Sequence, residues 1–343
     1  MHPNYQARPD VEVAQAEPTP RDRLVGLLSG TMKLVAEAKS YIHIWSGRTK
    51  LRLRVPVGGI TAEALEREAI RLVREDISEP AELPSYGERL AIPGSSLKGA
   101  IRSRLEFLFT PSPEGVVSSC FVVQEPLTLP PSPGQHGWRH YRIWSPATEE
   151  ARPVACGSSE AACIICNIFG APGLASKVFF GNLWLVGGQE EWVEELELDY
   201  GERVLAFKPG ARFEGEFCFK GLKPEELGLL IIGMRLHESR PVLIGKNKYR
   251  LRRRADTGRE IAFGRLMINA ESISFAPWCM EEVRSLIRSM GVELEEDEEL
   301  IVKGRSLQLM MSHLASLACE AFPGLRCDFD EISRLEEVWR DEE

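Results

Sequence analysis

One stretch constrains this chain more than any other: a Pro-Gly turn that runs straight into an amphipathic helix. It reads Ile92-Pro93-Gly94-Ser95-Ser96-Leu97-Lys98-Gly99-Ala100-Ile101-Arg102-Ser103-Arg104. Pro93-Gly94 is a turn signal, and Ser95 is placed to cap the helix that follows. Leu97, Ile101, Leu105 and Leu108 recur at helical spacing on one face, with Ser95, Lys98 and Arg102 on another. A helix start with free backbone N–H groups and two nearby cations suits a phosphate. The same pattern also describes a capped surface helix with a solvated basic face.

The rest of the chain limits what that helix can belong to. Its 343 residues hold two domains or one elaborated domain, and 43% hydrophobic content supplies a sizeable core. The net charge of −9 argues against nucleic-acid binding over the whole surface, but leaves room for a local basic groove. No apolar run reaches membrane-spanning length, so no membrane association is expected. Residues 1–22 are polar and rich in Pro and Ala, lack the apolar segment of a signal peptide, and read as a disordered tail of a cytoplasmic protein. Without an export signal, the eight cysteines are expected to be thiols or metal ligands, not a disulfide framework.

Taken in order, the chain alternates strands and helices. Residues 24–39 alternate Met32, Leu34, Ala36 and Ala38 with Thr31, Lys33, Val35, Glu37 and Lys39, a half-buried strand. It runs into Tyr41-Ile42-His43-Ile44-Trp45-Ser46-Gly47, and residues 51–55 alternate again with arginines on one face. Residues 61–75 read as a helix and 76–89 as a loop. The opening helix follows and stops at Thr110-Pro111-Ser112-Pro113. Residues 111–160 form an irregular insertion. Its Trp138-Arg139-His140-Tyr141-Arg142-Ile143-Trp144 segment suits either base stacking or local packing. Strands are expected at 178–186, 211–220, 241–245 and 263–275, and a helix from Pro224 to about residue 236. The order implies an α+β fold, with helices on one face of a sheet, of ferredoxin-like type. That core would span 23–276, and residues 277–343 would form a helical C-terminal appendage with acidic segments at 293–299 and 328–343.

Two further stretches carry chemistry. Between Arg240 and Arg265 stand Lys246, Lys248, Arg250, Arg252, Arg253, Arg254 and Arg259, against Asp256 and Glu260 alone. A loop this basic in an acidic protein suits a phosphate backbone, or is a solvated flexible loop; Gly245, Gly258 and Gly264 would let a ligand approach closely. Cys156, Cys163 and Cys166, with His140 or His136, have the ligand types of a structural zinc site; small core cysteines are the rival reading. Neither a phosphate-binding P-loop, nor a dinucleotide glycine fingerprint, nor a His-Glu-x-x-His zinc motif occurs.

Several of these pieces coincide. Ile92-Pro93-Gly94-Ser95-Ser96-Leu97-Lys98-Gly99 with Arg102 resembles the signature of the RAMP superfamily, the repeat-associated RNA-binding subunits of type III CRISPR effector complexes. Ile42–Gly47 resembles the family's first strand and turn, and Cys163-x-x-Cys166-x-Ile168-Phe169-Gly170 its second motif. Ile244-Gly245-Lys246-Asn247-Lys248 with Phe263-Gly264-Arg265 resembles a degraded form of its C-terminal glycine-rich loop. The resemblance implies an RRM-like (ferredoxin-like) core with insertions that binds the backbone of a guide RNA, meets target RNA by way of that guide, and packs against other effector subunits in antiviral defence. Carried over by motif, Ser95, Ser96, Lys98 and Arg102 would face guide-RNA phosphates with His43 near them, and Lys246, Lys248, Arg250 and Arg252 would extend the groove. It also favours zinc at the cysteines.

The departures bear on catalysis. Backbone subunits that cut target RNA carry an aspartate between the first strand and the signature, whereas here no Asp-Asn-Pro occurs and Asp76 is the single aspartate in that interval. A metal-dependent endoribonuclease would therefore rest on Asp76 alone. A non-catalytic structural subunit fits the motifs better; an adaptor working through the acidic C-terminal helices is the third reading.

Overall fold

The computed structural model describes residues 10–46, 66, 82–122, 131–152, 156, 160–291 and 301–342. Asp76, the arginine-bearing 51–55 segment, all but residue 66 of the expected 61–75 helix, and the acidic run at 293–299 lie outside the described residues.

In chain order, the first half contains β1 (Glu12–Val13), β2 (Leu28–Ala38), β3 (Ser85–Tyr86), β4 (Arg89–Ile92), α1 (Gly94–Leu108), β5 (Val116–Val117), α2 (Trp138–Trp144) and α3 (Ile164–Phe169). Then come β6 (Val178–Phe180), β7 (Leu183–Val186), α4 (Gln189–Trp192), β8 (Val193–Glu197), β9 (Arg203–Phe207), β10 (Arg212–Leu222) and α5 (Pro224–Met234). The last group is β11 (Pro241–Leu243), β12 (Leu251–Arg253), β13 (Glu260–Ala262), β14 (Arg265–Phe275), α6 (Met280–Ser289), β15 (Ile301–Lys303), α7 (Gly304–Ala321) and α8 (Glu331–Arg340).

A nine-stranded antiparallel sheet in the order β11-β14-β2-β10-β7-β4-β3 forms the body, with β15 added beside β14 and β6 beside β10. Alternation sets its two faces. Met32, Leu34, Ala36 and Ala38 of β2 and Phe213, Phe217 and Phe219 of β10 are buried, while Lys33, Glu214 and Glu216 between them are exposed. Helix α1 turns Leu97, Ile101, Leu105 and Leu108 into the core. Helix α5 is apolar all round and buried from Glu226 to Met234, because α7 packs against it as well as α1.

The ends of the chain are tied into this body. The described residues of the C-terminal 277–342 segment share one hydrophobic cluster with the sheet through Val283, Val302, Leu307, Leu314 and Leu335. Fully buried Glu331 at the start of α8 accepts from Arg104 of α1 at 2.9 Å, and Arg235 binds Asp330 at 2.8 Å. The acidic helix thus spends its first carboxylates on the interior. At the other end, composition reads residues 1–22 as a tail, but from residue 10 onward they are anchored. Strand β1 pairs in parallel with β5, Val13 is buried, and Arg21 donates to Asn167 at 3.1 Å.

The described part of the irregular insertion is more regular than its composition suggests. Its aromatic–basic run is helix α2, and His140 and Trp144 pack on Phe107 with ring centroids at 4.7 and 5.7 Å. Arg139 and Arg142 pair with Glu342 and Asp341. Local packing therefore accounts for this segment. Among the cysteines, Cys319 and Cys327 form a disulfide, contrary to the expectation of thiols or metal ligands throughout. Both sit where α7 ends and the chain turns into α8, close enough in space to pair.

Candidate RNA interface and metal centre

Helix α1 starts at Gly94, one residue before the expected Ser95 cap. Gly94 N–H is capped across the sheet by Asn182 Oδ1 at 3.0 Å, which frees Ser95 from capping duty. Ser95 is exposed and Ser96 half-buried, and among the described residues neither hydroxyl has a partner. Lys98 Nζ donates to Ser176 Oγ at 2.8 Å; burial, and then the charge of Arg102, lower its pKa. One helix start thus gathers two unengaged hydroxyls and a lightly engaged ammonium.

Arg102 departs from the expected set. Its Nε donates to Glu106 at 2.8 Å, Nη1 to the Gly170 carbonyl at 2.7 Å, and Nη2 to Cys166 Sγ at 3.2 Å. Burial alone would lower its pKa, but the Glu106 carboxylate holds it above the usual value. It faces the interior, not a groove.

The second set assembles where the chain leaves β2. The 41–43 segment bridges to Phe263, Phe207 and Lys246 in turn. His43 is fully buried, with Nδ1 2.7 Å from the Leu205 carbonyl. A carbonyl only accepts, so Nδ1 carries the proton and Nε2 is left an acceptor without a partner among the described residues. Burial lowers its pKa and keeps the ring neutral. His43 does not adjoin Ser95 and Lys98. Ile92 pairs with Leu183, level with Leu34, whereas His43 lies beyond Ala38 and three strands away, about 20 Å across the sheet.

The basic loop folds against acids that its own sequence did not show. Hairpin β8–β9 brings Asp199 and Glu202 onto Arg252, each at 2.5 Å, and Glu202 onto Lys246 at 2.9 Å. Arg254 pairs with Glu194 and Asp256, and Arg253 with Glu260. Among the described residues, Lys248, Arg250 and Arg259 of this loop form no ion pair, and Arg250 and Arg259 are exposed. Buried Arg252 is thus a structural residue, not a surface ligand. The space at Gly245 and Gly264 is also used internally, since a Cβ there would meet the His43 carbonyl at 2.5 Å and the Ile244 carbonyl at 2.4 Å.

The cysteines converge as expected, with one change of ligand. Cys120, Cys156, Cys163 and Cys166 are all buried, their Sγ atoms within 4.8 Å of one another. Cys120 takes the fourth place assigned to His140, because α2 commits that imidazole to an aromatic cage and burial drives its pKa down to about 4. Sγ separations of 3.4 Å (Cys120–Cys166), 3.5 Å (Cys120–Cys163) and 4.0 Å (Cys120–Cys156) bracket the ~3.8 Å edge of a tetrahedron with ~2.3 Å metal–sulfur bonds. The donor set fits a metal ion. Hydrogen bonding among the four thiols lowers the pKa of Cys156 and Cys166, the latter with help from Arg102, and raises that of Cys120 and Cys163. Cys120 follows α1 at a distance no spacing rule links to the Cys-x-x-Cys pair, so sequence alone gave no signal for it.

Comparison with known proteins adds the family. No curated protein matches the sequence. A solved chain from the Csm3–Csm4 subcomplex of the type III-A CRISPR-Cas interference complex is similar over 84% of this chain and 97% of its own, at 18% identity and a TM-score of 0.35, too loose a match to argue from. The RAMP superfamily model matches residues 35–298, taking in the end of β2, the α1 signature, the Cys-x-x-Cys helix and the basic loop, and on that match the chain belongs to the RAMP superfamily.

Proposed function

We propose that this protein is an RNA-binding structural subunit of a type III CRISPR interference complex, cytoplasmic, and that it holds the backbone of a guide RNA beside other effector subunits. The observation that carries the reading is the start of α1, where the family signature presents the unengaged Ser95 and Ser96 hydroxyls beside Lys98. Arg250, Arg259 and Lys248 supply a second cationic point, so a bound strand would cross the sheet between them. Buried His43 would act by fixing the loop at Lys246, not by touching phosphate.

The order β14-β2-β10-β7, with α1 after β2 and α5 after β10, supports a ferredoxin-like split βαβ core. Residues 277–343 would be an appendage fused to that core. Cys120, Cys156, Cys163 and Cys166 would hold a structural zinc ion, which pins the insertion to α3. No observation favours Asp76 as a nuclease residue. The adaptor reading loses support from Asp330 and Glu331, which are turned inward.

The test is affinity for repeat-derived RNA as salt rises. For a single strand each phosphate-bound cation contributes about 0.7 to the slope of log K against log salt. Lys98→Ala should weaken binding and flatten that slope by about 0.7. Equal affinity and slope in wild type and variant would remove the α1 start from the interface.

A further inference from the structure

We infer that Arg102, although it lies inside the RNA-binding signature, is the charge-balancing positioning residue of the four-cysteine metal centre. This rests on the metal-site reading above but not on RNA binding.

The argument begins with charge. Four thiolates around a divalent ion leave the centre at −2, and every ligand is buried. Such a centre needs N–H donors aimed at sulfur. Donors among the described residues include Cys163 N–H to Cys156 at 3.2 Å, Cys166 N–H to Cys163 at 3.4 Å, Gln15 Nε2 to Cys156 at 3.4 Å, and Arg102 Nη2 to Cys166 at 3.2 Å. Of these, Arg102 alone brings a full positive charge. Its other two nitrogens donate to Glu106 and the Gly170 carbonyl, and its side chain is 15% exposed, so each nitrogen already holds an interior partner.

The bonds also tie the metal-binding segments together. Glu106 accepts from Arg102 and from Val122 N–H at 3.4 Å, just past Cys120, while Gly170 closes the helix that carries Cys166. Arg102 therefore clamps the two segments that bring Cys120 and Cys166 to the centre. Partners that orient ligands in this way are typically worth ten- to a hundredfold in metal affinity.

The experiment uses the full chain, titrated with zinc against a chromophoric chelator, with cobalt(II) substitution to report thiolate coordination spectroscopically. Wild type should bind one ion through thiolates. Arg102→Gln should bind zinc about tenfold to a hundredfold more weakly, and Arg102→Lys, which keeps a charge near Glu106 but loses the fork, should fall between them. Metal-saturated Arg102→Gln should keep wild-type RNA affinity. Three results would overturn the assignment: no thiolate–cobalt spectrum in wild type, unchanged zinc affinity in both variants, or lost RNA affinity with zinc affinity intact. If Arg102→Gln does not fold, Arg102→Lys decides by the same zinc measurement. A wild-type chain that binds zinc but no RNA would overturn the proposed function and leave this inference standing.

Discussion

The same substitution at two glycines of α1 should have opposite effects. Gly94 opens the helix against the β6–β7 turn, where an added Cβ would stand 2.0 Å from the Phe180 carbonyl oxygen and 2.8 Å from that of Gly181. Carbon and carbonyl oxygen meet without strong repulsion at about 3.3 Å, so helix and turn must separate by about 1 Å. Both contacts are backbone, so no side chain can swing away. The separation would also stretch the 3.0 Å Asn182 cap on Gly94 N–H. Overpacking of this kind costs about 1–3 kcal/mol, and loss of the cap about 1 kcal/mol more. Replacing glycine by alanine in a helix returns at most about 1 kcal/mol. The net for Gly94→Ala is a loss of about 1–3 kcal/mol. Gly99, five residues on and exposed, has nothing within 4 Å of its would-be Cβ, so Gly99→Ala keeps only the helical gain of about 0.5–1 kcal/mol. Urea denaturation of the two variants beside wild type measures both. A Gly94→Ala protein as stable as wild type would refute the close approach, and two changes of equal sign and size would show that helix propensity alone is at work.

Two further outcomes follow from buried charge. Glu331→Ala leaves Arg104 and Arg235 without their shared buried carboxylate and should cost about 3–5 kcal/mol in the same denaturation assay; a loss below 1 kcal/mol would mean that the pairs are solvated. His140 titrates at about 4 in the fold against 6.5 when free, since burial and then Lys248 oppose its protonated form. The unfolded chain therefore binds the extra proton first. His140 costs nothing above about pH 6.5 and lowers stability progressively as the pH falls toward 4, by up to about 3 kcal/mol. His140→Phe should flatten thermal stability over that window, and an unchanged pH profile would contradict a neutral ring packed among aromatics.

Much of the fold was legible because it depends on local period. Alternation marked β2 and β10, and the Leu97–Leu108 stripe marked α1, whose buried face is as expected. Boundaries moved where a distant group intervened, as when Asn182 capped Gly94 and shifted the helix start off Ser95. Hairpin β8–β9 escaped notice because its burial does not follow a simple alternation: Leu196, Val204 and Ala206 form a small separate cluster, while Phe207 beside Ala206 enters the main core. Three members of the four-cysteine cluster, Cys156, Cys163 and Cys166, were legible. Cys120, the fourth, was not, since no spacing links it to the Cys-x-x-Cys pair and the packing of α2, which holds His140 against Phe107 and Tyr249, is a tertiary effect.

The basic loop shows most clearly what charge counting along a chain leaves out. Within residues 240–265 cations outnumber acids heavily, yet the neutralising carboxylates of Glu194, Asp199 and Glu202 arrive from a hairpin about fifty residues upstream. A cation already held by carboxylates gives a polyanion little, because its pair must be broken before it can take up a phosphate. The loop should therefore divide into two classes in RNA binding. Arg250→Ala and Arg259→Ala should each flatten the salt slope by about 0.7, the share of one phosphate contact. Arg252→Ala should leave the slope of the folded protein unchanged and instead lower stability, since Arg252 is 6% exposed in its side chain and held by two carboxylates. If Arg252→Ala flattens the slope as much as Arg250→Ala does, RNA displaces the hairpin acids on binding, and the ion pairs seen in the free chain are a closed form of the interface.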